Sequence, residues 1–114
     1  MVLSHSLLRL VDKRQIMKIE VIKAKPQVQP PPMYTVIMYN DDYTPKSFVV
    51  EMFVYFFNKT RAAAEHLMQE VHNHGMAVCG TYPFDIASTK MAQVLHAAKQ
   101  EDFPLHLEME KDLH

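Results

Sequence analysis

At Asn40 the chain changes its period. Tyr34-Thr35-Val36-Ile37-Met38-Tyr39 is rich in β-branched and aromatic residues and predicts a strand beginning near Met33. Asn40-Asp41-Asp42-Tyr43-Thr44-Pro45 breaks it, and apolar residues then recur at helical spacing. Thr44 suits an N-cap and Pro45 a first helical position, so a helix is expected from there to about Phe57. Val49, Met52, Phe53 and Phe56 keep the i, i+3, i+4, i+7 rhythm of one face. Val54-Tyr55-Phe56-Phe57 makes this helix apolar on most sides and implies cover on both flanks.

The same reasoning extends along the chain. Thr60 can cap a second helix ending near Asn73, with Gly75 as its left-handed terminator. Its stripe is Ala64, Leu67, Met68, Val71 and His72, which puts His72 on the apolar face and His66 away from it. Met76 to Tyr82 predicts a second strand, and Pro83 opens a third helix through about Gln100, with Ala87, Met91, Val94, Leu95 and Ala98 inward. Phe103-Pro104 stops it, and Leu105 to Met109 alternates as a last strand. The order β-α-α-β-α-β implies a small α+β domain over 33–112, a three-stranded antiparallel sheet with three helices on one face. Ahead of it, Lys23 to Pro32 is rich in proline and polar residues. An extended, partly polyproline-like and flexible N-terminal extension is expected over 1–32. Met17 and Met33 are possible internal starts.

Composition removes several function classes. Lysine and arginine number 12 against 13 acids, a near-balance that argues against a nucleic-acid binder. The single cysteine, Cys79, permits no internal disulfide and fits a reducing compartment. No stretch approaches the roughly 20 apolar residues that span a bilayer, and the start lacks a secretion signal, so a cytoplasmic protein is expected. A monomer without cofactor or metal is the simplest reading. Nine methionines and six phenylalanines either fill the core or line an adaptable apolar pocket.

Three groups of residues could carry chemistry. Asn40-Asp41-Asp42 at the strand–helix junction is either a turn, since Asn and Asp bond nearby backbone, or a cluster of acceptors for a ligand. His72 is either a satisfied core residue or, being close to a helix end, the wall of a surface groove with Met68 and Val71. His66, His72 and His74 could join Asp41 or Asp42 on zinc, but a two-histidine helical site normally uses i, i+4, and His72 and His74 are two apart. Cys79 lies in a strand with no activating base nearby, so nucleophilic catalysis has little support.

From Pro32 to about Lys111 the chain resembles the ClpS family, bacterial adaptors for amino-terminal degradation signals. The resemblance rests on Pro-Pro-Met-Tyr-Thr-Val-Ile (31–37), Asn-Asp-Asp-Tyr-Thr-Pro (40–45), Leu-Met-x-x-Val-His (67–72), Cys-Gly (79–80), Thr-Lys (89–90), and Pro-Leu (104–105) followed by Leu-Glu (107–108), all in order. It implies an adaptor, not an enzyme, that holds the first residue of a substrate protein. The α-amino group would meet Asn40, Asp41 and His72. The first side chain, Leu, Phe, Tyr or Trp, would enter a pocket walled by Thr44, Val49, Met68, Val71 and Leu105. The resemblance further implies docking on the amino-terminal domain of a ClpA-like AAA+ unfoldase through Asp85 and Lys90.

Lys46 departs from the family pattern, standing where many members carry a methionine that closes the pocket and excludes β-branched side chains. Either the gate is looser here, the lysine stem lying along apolar surface with its ammonium in water, or Lys46 repels the incoming amine. In the second case the chain would be an unfoldase-binding modulator with lost or altered terminus recognition. A metal-dependent enzyme using Asp41, Asp42 and His72 is a third possibility.

Overall fold

The computed structural model describes residues 29–113. The expected extension therefore lies, up to residue 28, outside the described residues, and 29–32 are exposed and in no regular element. Three strands, β1 (Met33–Tyr39), β2 (Met76–Pro83) and β3 (His106–Lys111), form an antiparallel sheet in the order β2-β1-β3. Three helices, α1 (Lys46–Phe56), α2 (Arg61–His74) and α3 (Phe84–Gln100), complete the order that the sequence predicts.

The central strand shows why the helices gather on one side. Val36 and Met38 are fully buried and pack with Phe53, Ala87, Cys79 and Val94 in the core. Between them Ile37 points to the other face, paired in register with Val78 on β2 and Glu108 on β3. Met76 and Val78 on that face are 49% and 51% exposed, so none of the described helices covers them. Across that face the Thr35 and Thr81 hydroxyls share a hydrogen bond of 3.0 Å.

The helix signals of α2 are realised. The Thr60 hydroxyl accepts from the Ala63 amide at 3.1 Å, and Gly75 ends the helix at φ 88°, its amide donating to the Val71 carbonyl. Those of α1 are not. Pro45, with ψ 144°, occupies the capping position and offers no side-chain cap, and the helix starts at Lys46. Thr44 does not cap because its amide and hydroxyl are both bonded to Asp41.

The far end of α1 also differs from expectation. Tyr55 is 69% exposed, so one flank is uncovered. The end is closed from a distance: the Lys90 ammonium on α3 donates to the Phe56 carbonyl at 2.7 Å. On α3, Ala87, Val94 and Ala98 are buried, but Leu95 at the edge of the stripe is exposed. β3 begins one residue later than expected and continues to Lys111.

Candidate functional site: a hollow beside the first turn

Tyr39 ends β1 in register with Met76, the first residue of β2, so Asn40 arrives beside Gly75. The Asn40 amide donates to the Gly75 carbonyl at 2.9 Å. Because Gly75 terminates α2, this bond holds the last turn of that helix, with His72, against the loop leaving β1.

Asp41 builds that loop. Its Oδ1 accepts from the amides of Tyr43 at 2.8 Å and Thr44 at 2.7 Å, and its Oδ2 accepts from the Thr44 hydroxyl at 2.7 Å. A carboxylate offers about four lone-pair sites. The bonds within the loop use three, which leaves one on Oδ2. Asp41 is thus first a turn organiser, and its capacity for a ligand is a single acceptor site.

Between the loop, the start of α1 and the last turns of α2 lies a hollow of about 190 Å³. Asn40, Asp41 and Asp42 come to it from the loop, Thr44, Lys46 and Val49 from the entry to α1, and Met68, Val71 and His72 from α2. Val49 and Val71 are buried and Met68 half-buried, which supplies an apolar lining. Asn40, Asp42 and His72 are exposed, and none of their side chains makes a hydrogen bond within the described residues. The hollow is smaller than the roughly 300–1,000 Å³ of drug-sized sites and suits one amino-acid side chain. Its chemistry is that of open acceptors beside an apolar lining, which suits a cationic donor carrying a greasy group.

Eight of the residues expected to bind substrate line this hollow: Asn40, Asp41, Thr44, Lys46, Val49, Met68, Val71 and His72. Leu105 does not. It is 7% exposed and sits in the core cluster with Leu107, just ahead of β3. Asp42 lines the hollow although the resemblance gave it no part there. Its position beside two acceptor residues was the available signal. Of the two readings open for His72, the structure has it exposed at the hollow with Met68 and Val71 and not as a buried core residue.

The two residues expected to meet an unfoldase have different environments. Asp85 is exposed in the first turn of α3, where an acid complements the helix dipole. Lys90 is half-buried, bonded to Phe56 and 5.2 Å from the centre of the Tyr82 ring. Tyr82 lies across Gly80, where a Cβ would collide with the ring, so the Cys-Gly pair makes room for it. Cys79 is fully buried, and burial pushes its thiol up to about 12, far from a reactive thiolate. His66 pairs with Glu70 at 3.3 Å, away from His72. Among the described residues no group of three or more His, Cys, Asp or Glu side chains is placed to hold a metal ion, and no helix is long and apolar enough to cross a membrane.

Comparison with known proteins gives this architecture a family. The family described as ATP-dependent Clp protease adaptor protein ClpS matches residues 29–108. The ATP-dependent Clp protease adapter proteins ClpS of Phenylobacterium zucineum and Rhodospirillum centenum are each 48% identical over 92 residues, covering 81% of this chain and 84% and 85% of those relatives. The structure of Agrobacterium tumefaciens ClpS2 bound to L-phenylalaninamide superposes with a TM-score of 0.70 at 32% identity, covering 73% of this chain and all of that one. The chain belongs to the ClpS family, and it is an adaptor of the Clp protease rather than an enzyme.

Proposed function

We propose that the hollow seats the first residue of substrate proteins, with the free α-amino group on Asn40, Asp41 and His72 and the first side chain against Val49, Met68 and Val71. Asp42 adds a further acceptor, and Thr44 and Lys46 border the entry. The observation that carries this reading is the meeting of unpartnered acceptors with an apolar lining in one hollow the size of a side chain. An α-ammonium offers only donors and a positive charge, which such a set of acceptors matches. The ligand of the Agrobacterium relative, L-phenylalaninamide, carries a free amine and a bulky apolar side chain, and supports the assignment.

Magnitudes favour a releasable grip. Burying a Leu- or Phe-sized side chain contributes roughly 1.5–3 kcal/mol, and each hydrogen bond to a charged group about 1.5–3 kcal/mol. After association costs, two or three such bonds and one buried side chain correspond to a dissociation constant on the order of micromolar. On this reading the substrates begin with Leu, Phe, Tyr or Trp. The adaptor core, 33–112, passes them as a cytoplasmic monomer to a ClpA-like AAA+ unfoldase, whose amino-terminal domain docks on the surface around Asp85 and Lys90.

The test is fluorescence anisotropy with a Leu-initiated peptide beside its acetylated form. Acetylation removes the charge and its donors together, so saturable binding of the free form alone is expected. Equal binding of both forms, or of neither, overturns the reading.

A further inference from the structure

We propose that Lys46 makes the hollow selective for chains whose second residue is acidic, an inference that rests on the hollow being a seat for a chain terminus. Lys46 is the first residue of α1, is exposed, and lines the hollow. A helix start carries partial positive charge and favours acids. The first turn of α1 contains none, in contrast to Asp85 on α3. Among the described residues Lys46 makes no ion pair either. Two positive contributions, a helix end and an ammonium, therefore meet where α1 enters the hollow, with no acid in the helix's own first turn. The loop on its other border brings Asp41 and Asp42, so the hollow carries both signs of charge.

A bound terminus would use that division. The ammonium takes the acceptors of the loop and His72. A space of about 190 Å³ holds the first side chain and no second one. The second residue is then the first to remain at the border, within the sweep of a long lysine side chain. An Asp or Glu there neutralises both Lys46 and the end of α1, whereas a Lys or Arg is repelled. Because the pair is solvent-exposed, the expected preference is modest, about two- to fivefold, and weakens with added salt.

The experiment compares peptides beginning Leu-Glu, Leu-Gln and Leu-Lys, identical thereafter, and acetylated Leu-Glu, on the wild type, Lys46→Gln and Lys46→Glu. Thermal melts establish that each variant is folded. The wild type is expected to rank Leu-Glu over Leu-Gln over Leu-Lys, Lys46→Gln to flatten the series, and Lys46→Glu to reverse it. If the free peptides bind and the acetylated one does not, yet the ranking is the same in wild type and Lys46→Glu, the selectivity is overturned while the seat stands. If free and acetylated forms behave alike, the seat itself fails, and the selectivity with it.

Discussion

Lys90 closes the C-terminus of α1 from another helix, its ammonium donating to the Phe56 carbonyl at 2.7 Å. The last turn of α1 has no basic residue of its own, so this is the charge that meets the negative end of that helix. The same ammonium lies over the Tyr82 ring, tying α1, α3 and β2 together.

Lys90→Met should therefore lower stability. A hydrogen bond from a charged group, discounted for partial exposure, gives a loss of about 1–2 kcal/mol. Urea denaturation should show an earlier midpoint with an unchanged slope. Asp85→Asn, exposed and without such ties, should stay within about 0.5 kcal/mol of wild type. If Lys90→Met were equally silent, the bond to Phe56 would have no structural weight.

Asp41 and Asp42 should separate in the same way. Asp41→Ala deletes three bonds that shape the loop and should cost about 1–3 kcal/mol in stability as well as peptide binding. Asp42→Asn removes a charge with no internal bond and should weaken binding alone. Denaturation and anisotropy on the two variants make the comparison. Equal stability losses would contradict the assignment of Asp41 as organiser.

Lys46 also bears on shape. A lysine can lay its stem along an apolar lining and keep its head in water, so the border should yield more than a wholly apolar side chain would. Peptides beginning with Ile should therefore bind within about tenfold of those beginning with Leu, and Lys46→Met should widen the gap. Strict rejection of Ile by the wild type would rule out a loose gate. Loss of both peptides would mean that Lys46 repels the amine.

Cys79 sets an alkaline limit. Burial raises its thiol from 9.0 to about 12 in the folded chain. The folded state thus keeps a proton that the unfolded state releases above pH 9.0, and stability falls as pH rises between these values. The slope is about 1.4 kcal/mol per pH unit. Tyr39 and Tyr82 are shifted in the same direction, chiefly by desolvation. Denaturant unfolding from neutral to alkaline pH should show the decline, and Cys79→Ala should reduce it. An identical pH profile for that variant would exclude the thiol as the source.

What the sequence disclosed followed the range of the interactions. Thr60 and Gly75 act on neighbours within their own turns, and both ends of α2 lie where those residues put them. Thr44 has the chemistry of a cap, yet Asp41 three residues earlier binds it first, a competition that propensity does not rank. The stripe of α2 placed His72 on an apolar face, but the helix ends within a turn and the core ends with it. The hollow's lining was accessible through ordered motifs, Leu105 excepted, which lies buried just ahead of β3. The tie from Lys90 to Phe56 spans 34 positions and leaves no local trace.

The single backbone bond from Asn40 to Gly75 has a thermodynamic corollary. It joins segments 35 positions apart in the chain, so the hollow they frame belongs to the folded state. Any occupant consequently acts as a pure stabiliser of the native form, adding about 2.7 kcal/mol at a hundredfold excess over its dissociation constant. An adaptor with the hollow filled should resist heat and stray proteolysis better than an empty one.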